Sequence, residues 1–246
     1  MTLIKSNSKA AMRLKLFLAV LVLVNIAFWF YGRNIYAQWA NVPPPPSQGA
    51  AAAVMLGDVQ MSYRVWSVLV QNLGEYGGRS KSFDDYRYDY LIAWLDVLSA
   101  MDQHSDFAPF LASYYFSNVK DAEKLKSLVL YIQRVSTKPD FEKWKWLAQA
   151  ITVARFNLKD NDLALEMAHE LAGMHEEGMP AWVKQMPAFI LNAKGNKQEA
   201  FDVMMSILQS EVDTMHPAEI YFTKDYICTR LPDHANKGAV EFCDDL

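Results

Sequence analysis

The chain has 246 residues, 52% of them apolar, but only 10 Gly and 10 Pro. So few breakers among so many apolar residues exclude a many-stranded β fold and favour helices. Lys5, Lys9, Arg13, Lys15 and Arg33 precede the first acid, Asp58; without those five, 19 basic residues face 28 acidic ones, a net of −9 that argues against nucleic-acid binding.

The predicted elements begin with a basic N-terminus over residues 1–15 and a charge-free stretch over 16–32, LFLAVLVLVNIAFWFYG. As a helix that stretch spans about 25 Å, and flanking Lys15 and Arg33 can snorkel to extend it across the bilayer core. The aromatics Phe28, Trp29, Phe30 and Tyr31 sit where an interfacial belt lies. The expectation is a single transmembrane anchor from Leu16 through Phe30, in contact with the lipid bilayer. The excess of basic residues before it predicts a cytoplasmic N-terminus and an exported body. The rival is a signal peptide cleaved near Ile35-Tyr36-Ala37, which also exports the body; in a bacterium that means the periplasm.

Residues 33–54 read as a Pro/Ala-rich linker, with Pro43 to Pro46 either a polyproline II rod or an irregular tether. Apolar periodicity then predicts helices over 56–73, 86–101, 107–116, 122–134, 141–157, 163–174, 181–193 and 197–212, and a last one from Pro217. Gly74 and Gly77-Gly78 close the first. Asp140 is the expected N-cap of the fifth, and Glu219 suits the positive end of the last. Residues 232–246 remain as a tail.

The hairpins look repeated. KDNDLALEMAHELA around Ala164 parallels KGNKQEAFDVMMSIL around Ala200, and KDAEKLKSLVLYI is a looser copy about 40 residues earlier. The spacing is near the roughly 34 residues of tetratricopeptide repeats, although their aromatic and glycine signature is largely missing. Stacked hairpins can bury faces that a lone hairpin leaves open; chance likeness between amphipathic hairpins is the alternative. The expected fold is all-α: an N-terminal transmembrane helix followed by an α-solenoid of hairpins over residues 55–231.

The blocks MLGDVQMSYRVWSVLVQNLGEYGGR, LIAWLDVLSAMDQHSDFAPFLASYYF, EKWKWLAQAITVARFNLKDNDLALEMAHELA and MPAWVKQMPAFILNAKGNKQEAF resemble successive parts of a family of membrane-anchored, tetratricopeptide-like proteins from alphaproteobacteria. The likeness covers most of residues 55–231. It implies fold, bacterial origin and topology, and supplies no functional residues.

Reactive constellations are not legible. His169-Glu170 lacks the second His of a zinc-protease helix, and His175 follows six residues later, rotated well away. His104, His216 and His234 show no ligand spacing, and Asp84-Asp85 and Asp244-Asp245 read as solvated charges. No Walker loop, Rossmann fingerprint or nucleophile elbow occurs. The expectation is therefore no enzyme, cofactor or metal. Cys228 and Cys243 either form a disulfide that clamps the tail or remain two buried thiols.

Aromatics at helical spacing are mostly core: Tyr86, Tyr88, Tyr90 and Trp94; Tyr114, Tyr115 and Phe116. Trp144 and Trp146 lie about 200° apart around a helix, so one faces a neighbouring hairpin and the other a groove. Trp144, Trp146, Arg155 and Trp182 are the candidate contacts for a protein partner in the cell envelope. The function expected is a membrane-tethered scaffold or adaptor. The alternatives are an assembly subunit of a larger membrane complex, marked by an apolar surface near Val59–Leu73, and an envelope enzyme with an unrecognised site.

Overall fold

The computed structural model describes residues 8–33, 42–76, 79–138, 143–174, 179–231 and 243. It divides into two units, Met1–Ala40 and Asn41–Leu246. The first contains α1 (Ser8–Gly32). Its segment Ala11–Gly32, 22 residues, is long and apolar enough to span a membrane, and it includes the anchor residues Leu16 and Phe30. Apolar side chains are exposed all round it. At its end the Arg33 guanidinium lies 4.8 Å from the centroid of the Phe30 ring and 5.1 Å from that of Trp29, an arrangement suited to an amphipathic interface.

The second unit is all-α, apart from a two-residue ladder pairing Glu75 with Ser80 and Tyr76 with Arg79. It opens earlier than the composition suggests. Val42 is fully buried, the Trp94 indole donates to the Pro43 carbonyl (2.8 Å), and Ser47 caps a short helix α2, Gln48–Ala53. Ala51 is also buried and its carbonyl accepts from the Trp66 indole (3.0 Å). Residues 42–53 are thus part of the folded body rather than of a 33–54 linker. Two tryptophan N–H groups need acceptors inside the body, and this segment supplies them. Residues 34–41 lie outside the described residues.

α3 spans Val59–Gln71. It starts three residues later than the periodicity predicts, because Leu56 and Gly57 take positive φ (54° and 90°) and Asp58 caps the Met61 N–H at 2.9 Å. Gly74 follows with φ 79°, and a Cβ there would stand 1.9 Å from the Tyr86 hydroxyl, which donates to the Leu73 carbonyl. Gly74→Ala should therefore destabilise the body by about 2–4 kcal/mol, through left-handed strain and overpacking together. Chemical denaturation measures it; a loss below about 1 kcal/mol would mean that the turn relaxes freely.

Next come α4 (Tyr88–Met101), α5 (Phe107–Phe110) with a π-helical turn (Leu111–Phe116), and α6 (Ala122–Ser136). α7 (Trp144–Val153) likewise runs into a π turn (Ala154–Leu158). α8 (Asn161–Ala172), α9 (Trp182–Lys194), α10 (Lys197–Glu211) and α11 (Pro217–Arg230) complete the body. The expected cap Asp140 and the expected breaker Gly77-Gly78 lie outside the described residues. Gly195, at φ 87°, closes α9, and His216 with Glu219 forms a full capping box at the start of α11.

Each helix from α6 to α11 packs on its neighbours in sequence, and α4 also packs on α6. One core cluster extends from Val42 to Ile190, and a second joins α9, α10 and α11. Polar contacts between helices fall at several offsets: Lys184–Glu211, Asp162–Lys194, Asn192–Tyr226 and Tyr114–Gln149 are 27, 32, 34 and 35 residues apart. Asp96–Arg134, Asp106–Trp146, Gln133–Glu170 and Gln185–Thr223 are 38, 40, 37 and 38 residues apart.

Asp84 shows how such a contact is built. Its carboxylate accepts the backbone N–H groups of Lys120 (2.7 Å) and Asp121 (3.3 Å) just before α6, so it is not the freely solvated charge that the sequence suggests. These bonds, that from Lys120 first, hold its pKa below the usual carboxylate value. A depressed carboxylate pKa stabilises the fold above the ordinary value near 4, and the contribution is lost as pH falls through the folded-state pKa. Asp84→Asn should lower the thermal midpoint at pH 7, and the gap from wild type should close below the folded-state pKa. A gap that stays constant from pH 7 to pH 2 would contradict this.

Candidate interaction surface

The four candidate contact residues separate into three ring environments. Trp144 and Trp182 meet edge to face at 5.8 Å, joining α7 to α9. Trp146 turns the other way, as the 200° offset requires. It is buried, donates its indole N–H to Asp106 (2.6 Å), and lies 6.4 Å from Phe110 and 6.2 Å from Tyr114. Arg155 is half-buried in the second π turn, its guanidinium 4.6 Å from the Phe156 ring centroid. Trp144 and Trp182 are therefore the partly exposed pair, and Trp146 anchors the neighbouring helix.

Three exposed ring residues are not among the four candidates: Phe110, Tyr114, which the sequence places in the core, and Phe156, exposed by 45%, 54% and 61%. Of the aromatics expected in the core, Phe116 is buried, Tyr115 half-buried and Tyr114 exposed. Phe156 carries a readable signal. Lys145, Gln149, Thr152 and Phe156 recur at helical spacing, so an aromatic stands where the polar face continues.

Contacts between alternate helices run in two rows, one through α5, α7, α9 and α11 and one through α4, α6 and α8, and polar pairs occur in both. Along α5, α7, α9 and α11, rings bridge each successive pair: Phe110 and Tyr114 to Trp146, Trp144 to Trp182, and Phe189 to Phe222 and Tyr226. In the other row, Arg134 pairs with Asp96 (2.9 Å) between α6 and α4, and Gln133 donates to Glu170 (2.7 Å) between α6 and α8. Lys194, at the end of α9, reaches Asp162 of α8 at 2.5 Å. Exposed ion pairs add little binding energy, whereas large rings able to shed water add most of it.

A buried amine lies beneath the first row. Lys143 is almost fully buried, and its Nζ donates to the Ser105 carbonyl at 2.9 Å. Burial pushes its pKa down, opposed by nearby Asp106 and Asp102. The Tyr63 hydroxyl and Ser105 Oγ share a hydrogen bond of 2.5 Å beside it. Asp106 also takes Lys145 at 2.6 Å. These contacts tie the first turn of α7 to the loop between α4 and α5, through a carbonyl that only a donor such as Lys143 satisfies there.

His169 is exposed on the last turn of α8, His104 sits in the loop before α5, and His216 caps α11. Among the described residues, no group of three or more His, Cys, Asp and Glu is placed to hold a metal ion. His175, His234 and Asp244-Asp245 lie outside the described residues. Cys228 of α11 and Cys243 are joined by a disulfide with Cα atoms 5.7 Å apart, and Cys243 packs against the α9–α11 cluster. No family model, no curated protein and no solved structure matches the chain.

Proposed function

We propose that the chain is a membrane-tethered scaffold or adaptor of a bacterial cell envelope, with its N-terminus in the cytoplasm, α1 in the inner membrane and its body in the periplasm. The body is read as a stack of tetratricopeptide-like hairpins that binds a protein partner and catalyses nothing. The packing of each helix from α6 to α11 on its neighbours in sequence supports the stack, since repeats of such architectures contact mainly their neighbours. The disulfide supports export, because structural disulfides persist in oxidising compartments.

The observation that carries the binding role is the row of rings on α5, α7, α9 and α11, with Tyr114 and Phe156 open to solvent. Photo-crosslinking residues placed at positions 114 and 156 of the full-length protein should capture a partner in intact cells. Tyr114→Ala combined with Phe156→Ala should reduce partner recovery on the membrane-bound protein about thirtyfold, as loss of a typical hot spot does. Equal recovery from the double variant would remove the ring row from the binding role.

The exposed face of α3 favours the second reading, an assembly subunit. Met61, Val65 and Val68 stand open at helical spacing, beside fully exposed Leu56. If Val65→Lys and Val68→Lys release the partner while the ring variants retain it, the assembly reading replaces the scaffold.

A further inference from the structure

Between Leu16 and Gly32, α1 carries one amide side chain, Asn25, on an otherwise apolar surface. It lies ten residues after Lys15 and eight before Arg33, about 15 Å and 12 Å along the helix. If the two charges mark the interfaces, Asn25 sits near the middle of the hydrocarbon. Its side chain is exposed, and none of the hydrogen bonds of the described residues uses its amide. An amide at that depth has no water to bond, and it is too short to reach either interface.

We propose that α1 pairs in parallel with α1 of a second copy of this chain, through reciprocal hydrogen bonds between the two Asn25 amides. The proposal rests on the membrane-anchor reading. A primary amide both donates and accepts, so two copies related by a two-fold axis satisfy each other; a foreign helix would need its own polar group at the same depth. The neighbours on that face fit the geometry. Leu14, Leu18, Leu21, Asn25, Phe28 and Gly32 alternate at four and three residues, the period of two helices in contact. Asn25 falls on the same seam position as Leu18 and Gly32, where a single Asn fixes register and favours two strands. Apolar side chains surround the helix evenly, so hydrophobicity selects no face and the amide makes the choice.

The test uses the full chain in its native membrane. Cys228 and Cys243 are bridged, so Leu21→Cys introduces the only free thiol. Under mild oxidation, Leu21→Cys should give a covalent species of twice the mass, and Leu23→Cys, about 200° away, should give little. Adding Asn25→Val to Leu21→Cys should weaken pairing roughly threefold to thirtyfold, while Asn25→Gln should preserve it. Alkaline carbonate extraction of the same membranes separates the two claims. A chain retained in the membrane that gives no dimer, equal dimer from Leu21→Cys and Leu23→Cys, or a dimer indifferent to Asn25→Val overturns the pairing and leaves the anchor intact. A cross-linked species of another mass overturns it in favour of a foreign helix. Release by carbonate overturns the anchor itself, and the pairing with it.

Discussion

Trp146→Ala is expected to cost the body about 3–5 kcal/mol, whereas Trp182→Ala costs about 1 kcal/mol. Both are tryptophans of the same helix row, so the contrast isolates packing from composition. The Trp146 ring is buried between α5 and α7, in contact with Phe110 and Tyr114, and its N–H is satisfied by Asp106. Deleting it opens a cavity at the seam between two helices and removes the indole donor from Asp106, which keeps Lys145. Trp182 is 36% exposed and its main ring partner is Trp144, so its loss empties no core. Trp146→Phe separates the parts, keeping most of the ring volume and losing the hydrogen bond of about 1–2 kcal/mol. Urea denaturation of the three variants, with slopes compared to check two-state behaviour, makes the measurement. Equal losses from Trp146→Ala and Trp182→Ala would mean that the two rings pack alike and that neither is reserved for a partner.

Breaking the disulfide is the second large effect. The bridge spans 15 residues between Cys228 and Cys243. Loop-closure entropy assigns about 3 kcal/mol to a bridge of that span. The loss should fall on the C-terminal end of the body, because Ile227 and Leu231 share one cluster with Leu191, Phe201 and Met204, and Cys243 packs onto it. Hydrogen exchange before and after reduction should show faster exchange across α11, and little change in α4 and α6, which belong to the other cluster. Uniform acceleration over the whole body would show one cooperative unit instead. No change in α11 would show that the cluster holds the tail without the bridge.

The helices are legible in the sequence where local signals end them. Asp160, Gly195 and His216-Pro217 mark boundaries through caps, a left-handed turn and a proline at the first turn, all readable from neighbours in the chain. Residues 42–53 are not legible in this way. Their Pro/Ala composition matches a tether, and only Trp66 and Trp94 of the folded body turn them into buried acceptors. The two π turns are also invisible locally, since apolar spacing does not distinguish them from an α-helix over five or six residues. The opposed directions of Trp144 and Trp146 follow from helical geometry alone. Which of them is buried depends on Asp106 and Tyr114, 40 and 32 positions upstream of Trp146.

Thiol trapping on carbonate-washed membranes from intact cells is the most direct test of a body held in lipid and exported from the cytosol. Cells are quenched in acid, membranes are washed at high pH, and a bulky maleimide is added with and without reductant. The account predicts that the protein stays with the membrane and that Cys228 and Cys243 take up the label only after reduction. Protein released by the wash, or two thiols labelled without reductant, would contradict it.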